Sequence, residues 1–403
     1  MSDVVYLDHN ATTPVDPEVL DSMLPFLKQN YGNASSAYRL GKTTRLALDQ
    51  ARQELAQLLR CQPEHLIFTG NGTEANNAVF ASVLDTDPDR QHIITTAVEH
   101  SAIIKHGEYL AKRGIEITFL PVDRNGQVDL DRLAKAIRSD TILVSIMWAN
   151  NETGVISDIP AIAELCQQKN VLFHTDAVQA VGKAEVYPSE LPIHFLSISG
   201  HKLYAPKGVG ALYVRPRTRF TPYLHGGSQE FNKRAGTENV ASIVGLGTAA
   251  RLATENLPLS VQAMQHLRDH FEKTLARELE NVEINGHPQQ RLANTSNLSF
   301  AGIDGEAALM LLDDRGICCS AGSACTTGSL KPSHVLSAMG LTTEQARSSL
   351  RFSLGKNTTQ SDIDHALQKI VEVVTKLRSL QPKMAPSNDS SLRSLAAVGA
   401  RAE

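Results

Sequence analysis

Long apolar runs are missing from this 403-residue chain. The most apolar strand-like stretch, TILVSIMWA at 141–149, falls far short of the ~18 residues that a membrane-spanning helix needs. The opening MSDVVYLDHN carries neither a basic nor an apolar leader region, so an unexported, cytoplasmic protein is expected. Cysteine is scarce, and five Cys in so long a chain are too few for a disulfide framework. Neither sign of charge is in excess, since 39 Lys plus Arg nearly balance 43 Asp plus Glu for a formal net charge of -4. Without a dense basic stripe to neutralise phosphates, nucleic acid is not an expected partner. The sequence has no internal repeat.

What it does contain is enough apolar residue, 42% against 20% charged, to fill a large globular core spread over two or three domains. Residues 40–60 set Leu40, Ala47, Ala51, Leu55, Leu58 and Leu59 on one helical face, and the pattern stops before Pro63. From there short apolar runs alternate with helix-period segments: HLIFTG (65–70) and 73–84, HIITTAV (92–98) and 101–113, EITFLPV (116–122) and 129–138, TILVSIMWA and 159–169, then VLFHTDAV (171–178). This alternation predicts an α/β fold with a largely parallel sheet covered on both faces. FLSISG (195–200) and GALYV (210–214) are too close for a helical crossover, so two strands here are expected to run antiparallel. Residues 238–280 read as a long helix. After Asn285-Gly286 come strand (295–300), helix (305–315), loop, helix (332–339), strand (349–354) and helix (361–379), which predict a second, smaller α+β domain. From Pro382 a Ser, Ala, Asn and Pro rich stretch without an apolar face reads as a disordered tail.

The chemistry concentrates at strand ends. In SISGHKLYAPKGVG (197–210), Lys202 follows an apolar strand, and a desolvated Lys amine there can form a Schiff base with an aldehyde cofactor. A surface Lys in a turn is the ordinary alternative, and Lys207 is the decoy. HTDAVQAVGK (174–183) sets Asp176 at another strand end, able either to pair with a pyridinium nitrogen or to cap a helix. FTGNGTEANN (68–77) puts Gly70, Gly72 and Thr73 between strand and helix, the makings of a phosphate cradle or of a plain turn. AVEHSAI (97–103) and WANNETG (148–154) place His100 and Asn151 past two more strands. His100 could stack on an aromatic cofactor, act as acid or base, or simply begin a helix. Parallel strands bring such ends into one crevice, so these residues together predict a single site.

Cys318, Cys319 and Cys325 fall within eight residues. Cys325 lies in a stretch rich in Ser, Thr and Gly, GSACTTGSL (322–330), suited to a mobile loop from which a thiol reaches into a site. For Cys318 and Cys319, apolar burial at a strand end is favoured over a three-thiol metal site, because the spacing shows no second ligand set. Cys61 and Cys166 read as spectators in helical context. Arg351, mid-strand in SLRFSLG (349–355), has a fork suited to an amino-acid carboxylate or to an internal salt bridge.

With LDHNATT (7–13), RAGTEN (234–239) and RSSLRFSLG (347–355), these motifs make a sequence that resembles the cysteine desulfurases of the pyridoxal phosphate fold-type I, class-V aminotransferase superfamily, from residue 6 to about residue 381. The resemblance implies an aspartate-aminotransferase-like architecture. A large cofactor domain over 15–255 would be built on a mainly parallel seven-stranded sheet, a small domain over 1–14 and 256–381 would carry the Cys loop, and 382–403 would be a tail. It implies that Lys202 is the Schiff-base residue, Asp176 the partner of the pyridine nitrogen, and His100 a catalytic residue stacked on the ring. Gln179 and Asn151 would touch the ring-hydroxyl side, with Asn151 also near substrate, while Gly72, Thr73, Ser199 and His201 would hold the phosphate and Gly200 would be a further cofactor-binding residue. Thr237 would reach the phosphate of the other subunit in a homodimer. Arg351 would clamp the substrate carboxylate. Cys325 would accept sulfur as the nucleophile and, through its persulfide, act as a transient iron–sulfur ligand.

The long Cys loop resembles that of the group feeding iron–sulfur assembly, and MWANNETG, HTDAVQAVGK and RAGTENVASIVGLG are closest to its nitrogenase-associated branch. The implied reaction converts L-cysteine to L-alanine, leaves sulfur on Cys325 and passes it to an iron–sulfur scaffold or another acceptor protein. An aminotransferase or a selenocysteine lyase of the same fold, and a non-catalytic iron–sulfur carrier, are the competing expectations.

Overall fold

The computed structural model describes residues 4–321 and 332–380. Its centre is a seven-stranded sheet in the order Leu66–Thr69, Gly210–Val214, Phe195–Ser199, Leu172–Asp176, Thr141–Ser145, His92–Thr96, Glu116–Leu120. All neighbours pair in parallel except at Gly210–Val214, which runs antiparallel to the strands on both its sides. The short connection from Ser199 to Gly210 thus makes the one reversal that the sequence demanded, and the mainly parallel α/β sheet is the fold expected. Burial along Thr141–Ser145 and Phe195–Ser199 is unbroken, as a sheet covered on both faces requires. Successive side chains alternate between the two covering layers. Leu66 and Phe68 enter one core with the helix Arg39–Leu58, whereas Ile67 enters the opposite core with Val79 and Phe80 of the helix Gly72–Thr86.

A separate apolar core gathers Val5, Leu7, Leu298, Phe300, Leu350, Phe352 and the inner face of the helix Gln360–Leu380. Its sheet is the antiparallel set Val282–Ile284, Thr295–Phe300 and Ser349–Ser353. One 39-residue helix, Val240–Glu278, spans both cores, with Ile243 and Leu246 in the large one and Phe271 and Leu275 in the small one.

Besides the strand Val282–Ile284 and the short helices Gln229–Asn232 and Thr343–Arg347, two elements near the start of the chain escape the sequence pattern. The helix Pro17–Lys28 is capped by Asp16, which accepts from the Glu18 amide, but carries Pro25 in its interior. Val5–Tyr6 pairs in parallel with Ile317–Cys318, too short a ladder to leave a periodic trace. After Tyr6 the chain threads between the two cores. The His9 amide donates to Ser353 O at 3.1 Å and the Thr13 amide to His201 O at 2.9 Å. This strap brings residues 8–13 to the C-terminal ends of the parallel strands, where the candidate site lies. Among the described residues no helix is long and apolar enough to cross a membrane.

Candidate active site

A cavity of about 890 Å³ opens at those strand ends and is walled by the strap, the large sheet and Arg351 of the small one. Lys202, Asp176, His100, Asn151, Gln179, Gly72, Thr73, Ser199 and His201 all line it, so the sequence-predicted cluster is brought together around one space. Gly200 is packed behind it, where a Cβ would meet Val209 Cγ1 at 2.8 Å. Thr237 is exposed and does not line the cavity of its own chain. Lys207 is exposed as well. Cys325 lies outside the described residues, as do its loop and the tail from 382.

Lys202 closes the single turn Gly200–Lys202 that follows Phe195–Ser199, and its Nζ donates to Asn10 O and Ala11 O, each at 2.6 Å. Asp176 ends its strand with the carboxylate inside. Oδ2 accepts from Asn76 Nδ2 at 2.7 Å, and Oδ1 accepts from the Val178 amide at 3.0 Å. The turn-capping role and the inward-facing charge therefore coexist in one side chain. His100 is the N-cap of the helix Ser101–Ala111, and its Nδ1 accepts from the Ala102 amide at 3.1 Å. That bond leaves the ring proton to Nε2. Burial, helped by the charges of Lys202 and His334 against that of Asp176, lowers the His100 pKa and keeps the ring neutral. His201 is pushed down to about 4, first by burial and then by Lys202 and other nearby cations.

The segment from Gly70 to Thr73 presents backbone rather than bulk. Asn71 caps the helix Gly72–Thr86 by accepting from the Glu74 amide at 2.8 Å, and Glu74 Oε2 in turn accepts from the Gly70 amide at 2.8 Å. A Cβ on Gly72 would lie 2.7 Å from Val178 Cγ2. Free N–H groups at this helix start, with the hydroxyls of Thr73 and Ser199 facing the same cavity, suit a phosphate. On the opposite wall Arg351 Nη2 donates to Asp8 Oδ1 at 2.6 Å and Nη1 to Asn151 O at 3.0 Å, while Nε has no partner among the described residues.

Five further residues line the cavity or brace residues that do. Asn10 is the hub of the strap, with Thr295 Oγ1 accepting from its Nδ2 at 2.8 Å and Asn294 Nδ2 donating to its Oδ1 at 3.1 Å. Asn76 holds Asp176. Glu99 is fully buried, accepts from Thr96 Oγ1 and the Met147 amide, and is raised by burial to about 8. Glu152 is fully buried too, its Oε2 accepting from Ser333 Oγ at 2.5 Å, and burial likewise raises its pKa. Lys183 lies within 2.8 Å of Gln179 Oε1. All five sit inside quoted motifs, LDHNATT, GTEANN, AVEHSAI, NNETG and HTDAVQAVGK, and that placement was the readable signal.

Cys318 and Cys319 are half-buried rather than fully buried, because the two-residue strand that carries Cys318 sits at the rim of the small core. Cys319 packs against that core, and burial pushes its thiol well above the usual range. Cys166 is buried in the helix Ile159–Gln168, whereas Cys61 follows a helix instead of lying within one. Among the described residues no group of three or more His, Cys, Asp or Glu is placed to hold a metal ion.

Residues 5–366 match the family described as aminotransferase class-V. The chain is 47% identical over 379 residues to a protein named cysteine desulfurase IscS from Dictyoglomus turgidum, covering 94% of this chain and 96% of that one. It is 45% identical over 379 residues to cysteine desulfurase NifS from Azotobacter vinelandii, covering 94% of each. A solved structure titled NifS-like protein superposes with a TM-score of 0.88 at 37% identity, covering 93% of this chain and all of that one.

Proposed function

This chain belongs to the class-V aminotransferase family, and from that premise we propose that it is a pyridoxal phosphate-dependent cysteine desulfurase. It converts L-cysteine to L-alanine, holds the sulfur on Cys325 as a persulfide and delivers it to an acceptor protein of iron–sulfur assembly. The likeness to NifS relatives extends the proposal to the nitrogenase-associated branch, and the lack of a spanning helix among the described residues accords with a cytoplasmic setting. The observation that carries the reading is the convergence of Lys202, Asp176 and Arg351, from three distant segments, on one cavity.

The residues fit the cofactor. The start of the helix Gly72–Thr86 lies at the cavity with the Thr73 and Ser199 side chains, as a phosphate requires, and the buried Asn151 Oδ1 has no partner among the described residues. Lys202 would hold the aldehyde carbon, Asp176 the ring nitrogen, and Gly72, Thr73, Ser199 and His201 the phosphate. When bound, pyridoxal phosphate supplies a protonated ring that takes up electron density released at the substrate Cα. Asp176, fixed by Asn76, keeps the proton on that ring. His100 presents a neutral ring face. Arg351, which lines the cavity, binds the substrate carboxylate with its guanidinium, and Lys202 moves the proton at Cα. The Cys325 thiolate attacks the substrate Sγ. A sulfur–sulfur bond forms as the Cβ–Sγ bond breaks, the electron pair stays on carbon, and protonation at Cβ yields alanine.

The cofactor phosphate is shared between two subunits in this proposal. Thr237, exposed on its own chain, completes the site of a second copy, and the active unit is a homodimer. The test is incubation of the pure protein with L-cysteine and a thiol reductant. Alanine and sulfide in equal amounts, together with a yellow chromophore removed by borohydride, support the reading. Absence of both products and of the chromophore refutes it.

A further inference from the structure

Lys183 is a buried lysine to which the reaction just described gives no task. It lies two turns beyond the strand of Asp176, where the Lys183 amide donates to Ala180 O at 2.9 Å and Gly182 takes a positive φ of 77°. A Cβ at Gly182 would collide with Leu203 Cδ1, so glycine allows this turn to press against the segment that carries Lys202. The Lys183 side chain consequently points inward with only 7% of the residue exposed.

Its hydrogen-bond partners are both neutral amide oxygens, Gln179 Oε1 at 2.8 Å and Asn10 Oδ1 at 3.5 Å. An ammonium group has donors and no acceptor, so it can hold only the oxygen end of the Gln179 amide. The nitrogen end is thereby fixed the other way, and Gln179 Nε2 donates to Asn10 O at 2.9 Å, the same oxygen that accepts from Lys202. Nε2 carries a second N–H, and Gln179 lines the cavity. The charged groups that act on Lys183 are Lys202 and Arg351, both cations. Burial and those two charges bring Lys183 down to about 7, and an anionic oxygen bound beside Gln179 raises it again, so that Lys183 is an ammonium when that oxygen is in place. This corner of the cavity therefore offers a fixed N–H donor backed by the Lys183 amine, with the cations Lys202 and Arg351 close by, a setting that favours an ionised oxygen over a neutral hydroxyl.

We propose that Lys183 is a positioning residue that locks Gln179 as a donor toward the ring oxygen of the bound hydroxypyridine aldehyde and, with its charge, holds that oxygen ionised. The proposal rests on the cofactor reading above and adds to it the residue that selects the ionic form of the ligand. Lys183 acts through Gln179 and touches no reacting atom.

The test uses apo-protein and two probes, pyridoxal 5′-phosphate and its 3-deoxy analogue, which lacks the ring oxygen. Dissociation constants are measured by fluorescence for wild type, Lys183→Met and Lys183→Arg, with circular dichroism as a control on folding. Lys183→Met should weaken pyridoxal 5′-phosphate about 10–100-fold, the range of a hydrogen bond to a charged group, and leave the 3-deoxy analogue within about threefold of wild type. Lys183→Arg, which keeps charge and donors, should recover most of the loss. Should Lys183→Met fold poorly, Gln179→Leu serves in its place and should lose the same preference for the ring oxygen. Equal weakening of both probes assigns Lys183 a merely structural role and overturns the proposal, as does no weakening of either. A wild-type protein that binds neither probe overturns the cofactor reading itself, and this proposal with it.

Discussion

The Asp8 carboxylate and the Arg351 guanidinium, 343 residues apart in the chain, meet at 2.6 Å on the wall of the cavity. Their pairing ties the strap that follows Tyr6 to the middle residue of the strand Ser349–Ser353, while Nε of Arg351 has no partner among the described residues. Ser320 Oγ donates to the second carboxylate oxygen of Asp8 at 2.9 Å, so the acid is held from two sides. Arg351 has a side chain only 2% exposed, and a cation so placed needs its counter-charge.

Asp8→Asn removes that charge while keeping the size of the side chain. Stability should fall by about 3 kcal/mol, as expected when one member of a buried pair is lost, measured by urea unfolding of the apo-protein. The KM for L-cysteine should also rise, by about tenfold, with a smaller change in kcat, if Arg351 is the proposed partner of the substrate carboxylate and is no longer held in place. An unchanged unfolding midpoint and KM would show that the pair does neither.

Asn76→Ala probes the other end of the cavity. Asn76 Nδ2 is the side-chain donor to Asp176 Oδ2, and a hydrogen bond to a charged group is worth about 1.5–3 kcal/mol. The Asp176 carboxylate should turn away from the ring nitrogen, and the dissociation constant for pyridoxal 5′-phosphate should rise by roughly 10-fold or more. Equilibrium dialysis at several cofactor concentrations measures this directly, and an unaltered constant would separate Asn76 from the cofactor.

Much of this arrangement was legible in the sequence because the residues concerned sit at ends of regular elements. Lys202, Asp176 and His100 each follow an apolar run, and parallel strands must bring such ends to one side. Asn10 was not legible as a hub, since its partners at Thr295, Asn294, Gln179 and Lys202 come from segments whose adjacency exists only after both cores have formed. Pro25 broke the helical pattern of Pro17–Lys28, and the run TILVSIMWA promised a longer strand than Thr141–Ser145. Its end bends into the turn where Asn150 Oδ1 accepts from the amides of Glu152 and Thr153. Thr237 was assigned by resemblance alone, and on its own chain it stands exposed.

Glu99 gives the fold a pH dependence of defined sign. Burial raises its pKa from 4.5 to about 8 in the folded protein, so between those values the folded chain holds a proton that the unfolded chain releases. Its contribution to stability is therefore present in full below pH 4.5 and declines as pH rises toward 8. Glu99→Gln is neutral throughout. The stability of wild type relative to Glu99→Gln should fall by up to about 1.4 kcal/mol per pH unit across that window, read from urea unfolding at stepped pH. Parallel curves for the two proteins would mean that Glu99 is ionised in the fold.

The central claim, that this site takes sulfur from cysteine and places it on Cys325, is tested most directly by trapping the protein after a single turnover. Wild-type protein mixed with one equivalent of L-cysteine is quenched with an alkylating reagent, digested and examined by mass spectrometry, while released alanine is quantified. The account predicts one extra sulfur atom on the peptide containing Cys325, alanine in matching amount, and neither product with Cys325→Ser. Extra sulfur on Cys318 or Cys319, or alanine and sulfide formed at the wild-type rate by Cys325→Ser, would contradict it.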